Sequence, residues 1–450
     1  AIPSFVKHIT ASAFSECKKL REIHFSQNSE LLTIGPNAFA FVHIQTFYIP
    51  PHVIELRDNW CNHLPYLKTI TISPENKNYK YLDKNRQIIV GKSDKKSDTF
   101  DILVIASRDT VEAIIPSEIK YISSSAFAYC NFFRRIEFEK DSKLISIGKS
   151  AFFRSSIIEI KVPKTVKYIG KASFMDTELF EKVEFDRNAD LLAIEVNLFT
   201  GSAIKEVFIP SHVKFIGNFA FSSCSSLKSI TIAPDSELQR ICDSAFSYTL
   251  INNVFIPKHV TFIGEFAFFK CTELRQVEFE DQSELEFLGK ICFAETNIES
   301  ITIPSHVKII KERTFMNIIE LKSVDFPEDS ELTTICFNAF VESSVEHISL
   351  PSKVELLEDN WCNFTSQLVN IDLSPLNKNF SYLDEDHKIV VGKANNQSNL
   401  FDEIVFASRD IDEVIIPPFI KKIGPFAFDC SCVKYVTIPN QVVEICCHAF

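Results

Sequence analysis

Short segments in which apolar and polar residues alternate recur along the whole chain. In residues 227–232, Ile230 and Ile232 face one way while Ser229 and Thr231 face the other, because successive side chains of a strand point to opposite sides. This alternation predicts a short strand with one buried face. Residues 213–224 carry apolar positions around a glycine and an Ala-Phe pair, and they predict a turn that returns the chain toward the next strand.

The landmarks of these segments recur at fixed spacing. An aliphatic residue followed by proline closes each strand, since proline lacks the N–H that a sheet ladder needs, and from Pro116 to Pro351 every step is 47 residues. A second marker, usually Ala-Phe, has steps that alternate between 25 and 22 residues. The sequence therefore predicts a repeat of 22–25 residues in a 47-residue double cycle. The marker residues with this regular spacing are Phe127, Phe152, Phe174, Phe199, Phe221, Phe246, Phe268, Phe293, Phe315 and Phe340.

Phenylalanine has a defined place in this repeat. The chain contains 42 Phe but only 10 Tyr and 2 Trp. A single repeat cannot bury its own apolar face, so successive repeats must stack and share a continuous core. We expect the marker Phe of each coil to stack on the marker Phe of the next and to form a spine.

Most of the glycines also occupy one position of the repeat. Seven of the ten lie four residues before a marker Phe, where the chain is expected to turn. Because glycine adopts positive φ without steric cost, we expect positive φ at Gly35, Gly148, Gly170, Gly217, Gly264, Gly289 and Gly424.

The motif L-x-x-I-x-I-P-x-x-V-x-x-I-G-x-x-A-F-x-x-C, read from residues 209–224 and 227–232, resembles the BspA-like leucine-rich repeats. The resemblance covers essentially the entire chain. It implies a leucine-rich-repeat solenoid of the α/β class, rich in β structure, with a parallel concave sheet and short convex turns. It also implies a cell-surface or extracellular protein of the kind that bacteria and parasitic protists use for adhesion. The family pattern contains no catalytic residue.

Two insertions interrupt the period, at about residues 73–110 and 374–411. Residues 58–109 and 359–410 align without gaps and share 27 of 52 residues. In the first copy, apolar residues flank a polar stretch at 83–86, which predicts a hairpin. Two interpretations stay open for the pair: structural interruptions of the solenoid, or ligand contacts.

The end of the chain bears on its domain organisation. Solenoids normally end in polar capping repeats, whereas this sequence stops at Phe450, in the middle of a repeat. We expect a single solenoid over residues 1–450 that is an uncapped fragment of a longer array.

Charge and motif content narrow the function classes. A formal net charge of −12 argues against nucleic acid or an anionic membrane as the partner, and no apolar run is long enough to span a membrane. Most of the 13 cysteines fall at fixed repeat positions, as small buried side chains would, and no second pair stands at zinc-ligand spacing. Nucleotide-binding and hydrolase motifs are absent. We therefore expect no catalytic residue, no cofactor and no metal.

The outward residues of the strands are the remaining candidates for a binding site. Large aromatic side chains beside acids suit a protein-binding surface, although Phe and hydroxyl residues also pack side by side on any sheet. We predict a non-enzymatic module that binds a protein, such as an extracellular-matrix or host cell-surface protein, through its concave face. The alternatives are an intracellular or secreted scaffold, and the binding region of an enzyme whose catalytic domain lies outside this chain. The predicted contact residues are Phe208, Phe255, Tyr48, Glu184, Glu278 and Thr231.

Overall fold

The computed structural model describes residues 1–394 and 400–450; the remaining five lie within the second insertion. The described chain forms two compact units, Ala1–Glu237 and Leu238–Phe450. Each unit is a β-solenoid of stacked coils, and no helix occurs in the described ranges. The predicted solenoid of β-rich repeats is confirmed.

Most coils contribute a strand of three or four residues to a series of parallel sheets, which we together call the long-strand sheet. Register in this sheet follows the repeat, because Val207 pairs with Ile230 and Phe208 pairs with Thr231. In the first unit the long strands are Thr46–Ile49, Thr69–Ile72, Glu112–Ile115, Arg135–Phe138, Glu159–Lys161, Lys182–Glu184, Glu206–Ile209 and Ser229–Ile232. In the second unit they are Asn253–Ile256, Gln276–Phe279, Ser300–Thr302, Ser323–Asp325, His347–Leu350, Asn370–Leu373, Glu413–Ile415 and Tyr435–Thr437.

A second set of parallel strands, each two residues long, forms where only turns were expected. These short strands come from the V-x-x-I segment of each repeat, whose last apolar residue is buried in most coils. In the first unit they are His8–Ile9, Thr33–Ile34, Glu55–Leu56, Tyr121–Ile122, Ser146–Ile147, Tyr168–Ile169, Ala193–Ile194 and Phe215–Ile216. In the second unit they are Arg240–Ile241, Phe262–Ile263, Phe287–Leu288, Ile309–Ile310, Thr334–Ile335, Leu356–Leu357, Lys422–Ile423 and Glu444–Ile445.

The predicted phenylalanine spine is confirmed in both units. The rings of Phe152 and Phe174 stack with centroids 5.0 Å apart, and those of Phe315 and Phe340 stack at 5.3 Å. These rings are fully buried. Complete burial of one such side chain is worth about 1.5–3 kcal/mol, so the spine is a main source of coil-to-coil cohesion.

The glycine prediction is wrong. None of the seven glycines before a marker Phe has positive φ; Gly201, at another position, does, with φ of 67°. A Cβ atom on Gly148 would lie 2.4 Å from the main-chain nitrogen of Ser124, and one on Gly170 would lie 2.5 Å from that of Lys149. Neighbouring coils approach closely at these glycines, which leaves little room for a side chain. Positive φ falls instead two residues before and two residues after the marker Phe of most coils.

Each insertion forms the predicted hairpin. In the first, Tyr79–Tyr81 pairs antiparallel with Ile88–Gly91, which pairs antiparallel with Ile102–Ala106. The last of these strands then pairs parallel with the short strand Tyr121–Ile122. The second insertion repeats the arrangement with Ser381–Tyr382, Ile389–Gly392 and Glu403–Ala407.

Candidate functional site

The long-strand sheet of the first unit presents alternating charges. Along one outward column, Glu112 pairs with Arg135, Arg135 with Glu159, Glu159 with Lys182, and Lys182 with Glu206. Opposite charges directly across a pair of strands attract, whereas like charges would repel. This part of the sheet therefore neutralises its own charges.

Among the predicted contact residues of the first unit, Glu184 belongs to this charge pattern. Its carboxylate lies 2.6 Å from the Lys182 ammonium group. The hydrogen bond and the charge of Lys182 lower the pKa of Glu184, and Glu184 raises the pKa of Lys182 in return. Both groups are exposed to water, where such pairs contribute little to stability. Glu184 thus already has a partner of opposite charge.

The other predicted residues of the first unit lie on the outward face of the same kind of sheet. Phe208 is half-buried and stands directly across from the exposed Thr231. Tyr48 is also half-buried and has Thr71 as its cross-strand neighbour. The structure brings Phe208 and Thr231 together and places Tyr48 on a separate two-stranded sheet.

In the second unit, Phe255 and Glu278 are direct cross-strand neighbours. The Phe255 side chain is 47% exposed. Glu278 accepts a hydrogen bond of 2.6 Å from the side-chain amide of Gln276. An exposed ring beside an acid can receive a segment that carries both an apolar group and a cation.

Two further acids extend this surface in the second unit. Asp325 and Asp372 lie on strands separated by one intervening strand of the same four-stranded sheet. The intervening strand carries His347, whose Nε2 lies 3.5 Å from Asp325 Oδ1 and 3.6 Å from Asp372 Oδ2. Over the described residues, no lysine or arginine forms an ion pair with Glu278, Asp325 or Asp372. We call the outward side of Phe255, Glu278, Asp325 and Asp372 the acidic face.

The insertions close the edge of the long-strand sheet. The Tyr81 hydroxyl accepts a hydrogen bond from the main-chain N–H of Ile72 and donates one to the carbonyl of Ile70, both at 3.1 Å. In the second copy, Tyr382 makes the corresponding bonds at 2.8 and 2.7 Å. The two tyrosine hydroxyls thus form hydrogen bonds with edge-strand N–H and C=O groups, which the next strand of the sheet would bind if it were present. Of the two interpretations of the insertions, the contacts favour the structural one.

Sequence reasoning missed a pocket that lies outside both sheets. It has a volume of about 320 Å³, belongs to the first unit and is lined by turn residues. Its aromatic and basic lining includes Lys18, Phe41, His63, Tyr129, Phe153 and Arg154. The available signal was the run of aromatic residues Phe41, His63 and Tyr129, each two residues after the marker of its coil.

In the described residues, the cysteines and histidines form no cluster that could bind a metal ion. All thirteen cysteines are free thiols, and no group of three His, Cys, Asp or Glu side chains is placed to hold a metal ion there. Burial raises the pKa of the Cys224 and Cys271 thiols to about 12, which suppresses the reactive thiolate. His259 lies 3.2 Å from Glu284 as an exposed pair. No helix with the length and apolarity of a membrane span is found in the ranges described.

Comparison with known proteins gives one family. The model of the BspA type leucine rich repeat region matches in six copies, over residues 1–84, 106–228, 192–286, 286–386 and 388–450. No curated protein matches the chain.

Two solved structures share the fold. A leucine-rich repeat protein from Bacteroides ovatus is 20% identical, with a TM-score of 0.54 over 82% of each chain. A leucine-rich repeat protein from Eubacterium ventriosum is 22% identical, with a TM-score of 0.50 over 59% of this chain and 74% of that one. At these identities the likeness establishes the fold alone.

Proposed function

Because the chain belongs to the BspA-type leucine-rich repeat family, we propose that it is a non-enzymatic module that binds a protein partner at the cell surface or outside the cell. Leucine-rich repeat solenoids bind their partners over extended surfaces of stacked repeats. The proposed role is adhesion to proteins of a host or of neighbouring cells. The surface location rests on the family resemblance.

The acidic face of the second unit is the observation that carries this proposal. Phe255 offers a ring that is 47% exposed, and Glu278 stands directly across from it. Asp325 and Asp372 lack a lysine or arginine partner in the part of the chain that the structure describes. Acids without a lysine or arginine partner, on the same outward surface as an exposed ring, complement a basic segment with an apolar side chain.

Phe208, Thr231 and Tyr48 are proposed as secondary contacts. Phe208 and Tyr48 are half-buried, so each has less apolar surface to offer than Phe255. Glu184 is the weakest of the proposed contacts, because a ligand cation would have to displace Lys182 from it.

The proposal is tested by binding the 450-residue chain to an array of purified extracellular-matrix and cell-surface proteins, with affinities measured by surface plasmon resonance. For a protein that binds, the double variant Phe208→Ser and Phe255→Ser should weaken affinity more than tenfold, since a ring fully buried by a partner contributes about 1.5–3 kcal/mol. The double variant Asp325→Asn and Asp372→Asn should also weaken binding.

A matched control separates the acidic face from general charge. Glu328 and Asp329 are exposed in a turn of the same unit, so Glu328→Gln with Asp329→Asn makes the same charge change off the sheet. If the control variant at Glu328 and Asp329 lowers the binding affinity as much as the variant at Asp325 and Asp372 does, the proposed face is contradicted. Binding that none of the variants changes would place the contact elsewhere.

A further inference from the structure

The pocket of the first unit owes its shape to four successive turns. Phe41, His63, Tyr129 and Arg154 each lie two residues after the marker position of their coil, and all four have φ between 51° and 61°. The insertion contributes no marker turn between residues 63 and 129, so the imidazole of His63 meets the ring of Tyr129, with centroids 5.6 Å apart. Phe41 stacks on His63 at 4.3 Å from the other side.

The left-handed backbone conformation of these turns favours glycine or asparagine. A left-handed conformation costs a residue with a side chain about 1–2 kcal/mol, and glycine or asparagine is its usual occupant. Two other coils follow that preference with Gly201 and Asn317, whereas the rest hold residues such as Asp176, Ser223, Lys270 and Glu295 at the same position. What distinguishes the pocket is that aromatic residues occupy this position in three successive turns, at Phe41, His63 and Tyr129.

The charge of the pocket is positive. Arg154 lies over the Phe153 ring at 5.2 Å, and its Nε donates a hydrogen bond of 3.0 Å to Asp176, which leaves its terminal nitrogens available. Lys18 supplies a second cation at the rim, and no carboxylate lines the pocket. The complementary ligand is an anion.

The hydrogen-bonding groups specify more than charge. His63 Nδ1 lies 2.7 Å from Asn62 Oδ1 and donates to it, so the Nε2 of the neutral ring is an acceptor. Burial, with the charges of Arg154 and Lys149, lowers the pKa of His63 and keeps the ring neutral near pH 7. The Tyr129 hydroxyl both donates and accepts. Hydroxyl groups on the ligand match these partners.

We propose that this pocket binds a terminal sialic acid of a glycan, with its carboxylate on Arg154 and Lys18, its N-acetyl methyl group on the aromatic rings and its hydroxyls on His63 and Tyr129. A pocket of about 320 Å³ holds a ligand of monosaccharide size. An acidic peptide would share the charge, but the turns offer no unpaired strand edge for its main chain.

The test is titration of the full chain by saturation-transfer NMR with the methyl α-glycoside of N-acetylneuraminic acid. Three other ligands are titrated for comparison. N-acetylglucosamine is a neutral sugar that has the N-acetyl group, and glucuronic acid is an acidic sugar that lacks it. An acetylated Asp-Phe dipeptide represents acidic peptides. The sialoside should bind at least tenfold tighter than the other three. Equal affinity for the neutral sugar, or tighter binding of the dipeptide, would overturn the proposal.

Variants locate the site. Arg154→Gln and Tyr129→Ala should each reduce sialoside affinity at least tenfold, with folding checked by thermal melting. Phe364→Ala is the matched control, because Phe364 is the counterpart of His63 in the second copy, is 54% exposed, and has Glu342 and Cys430 at the equivalents of Phe41 and Tyr129. It should bind like the parent chain. Sialoside affinity that survives both pocket variants would reject this site.

Discussion

Arg108 Nε donates a hydrogen bond of 2.9 Å to the main-chain carbonyl oxygen of Leu64, across 44 residues of sequence. The same guanidinium donates from Nη1 to the carbonyls of Ala106 and Ala126, at 3.1 and 3.3 Å. Arg108 is only 3% exposed, and all of these acceptors are neutral. It therefore fills the core at the insertion, between the coils of Trp60 and Phe127, with main-chain hydrogen bonds in place of a stacked ring.

Replacement of this arginine should destabilise the first unit. Arg108→Ala leaves a cavity and removes a donor from three carbonyls, so we expect the free energy of unfolding to fall by about 3 kcal/mol. The free energy of unfolding of Arg108→Lys should lie between those of the parent chain and Arg108→Ala, since one ammonium group cannot reach all three carbonyls. Urea denaturation followed by Trp60 fluorescence, in a Trp361→Phe background, measures the change. An unchanged midpoint for Arg108→Ala would show that the guanidinium is dispensable.

The repeat spacing predicts the fold well because each coil of a solenoid packs mainly against the coils next to it in sequence. Alternation in each repeat fixes which residues of a strand are buried, and equal spacing places successive Phe rings over one another, as at Phe152 and Phe174. The hairpin of each insertion also follows from local pattern, since Asp83 accepts hydrogen bonds from the main chain of Gln87 and Ile88 to close it.

The features that the sequence does not reveal depend on distances between coils. The role of Gly148 requires the position of Ser124, which belongs to the preceding coil. The contact between His63 and Tyr129 can be predicted only if one knows that the insertion adds no marker turn between them. The Lys182–Glu184 pair is different, because both residues lie in one strand and alternation already places them on the same outward face.

Replacement by asparagine should destabilise the protein more at Gly148 than at Gly201. Gly148→Asn should lower the free energy of unfolding by about 2 kcal/mol or more, because its Cβ would meet the Ser124 main chain. Gly201→Asn should cost less than about 1 kcal/mol, since asparagine tolerates positive φ and the nearest atom is a carboxylate oxygen of Asp176, not main chain. Thermal unfolding of the two variants makes the comparison. A greater loss at Gly201 would contradict the close-approach explanation.

Cysteine labelling should divide the thiols by burial. Burial raises the pKa of the Cys224 and Cys271 thiols to about 12, so both stay protonated at pH 8. Iodoacetamide at pH 8 should therefore modify the exposed Cys17, Cys430 and Cys432 while Cys224 and Cys271 stay unmodified, as read by peptide mass spectrometry. Labelling in denaturant, which should reach all thirteen cysteines, is the control. Rapid native labelling of Cys224 would show that its coil opens.

The acidic face should select basic peptides by spacing. Asp325 and Asp372 lie two strands apart, about 9.6 Å. In a polyproline II chain, which has three residues per turn, every third residue returns to the same face after about 9.3 Å. A peptide with lysine at every third position, Lys-Ala-Ala-Lys-Ala-Ala-Lys, should therefore bind more tightly than Lys-Lys-Lys-Ala-Ala-Ala-Ala, which has the same charge. His347→Lys should abolish the preference, because it places a permanent cation between the two acids. Fluorescence anisotropy of labelled peptides measures both effects, and they should shrink as salt is raised, since the acids are exposed to water. Equal affinity for the two peptides would mean that net charge alone attracts them.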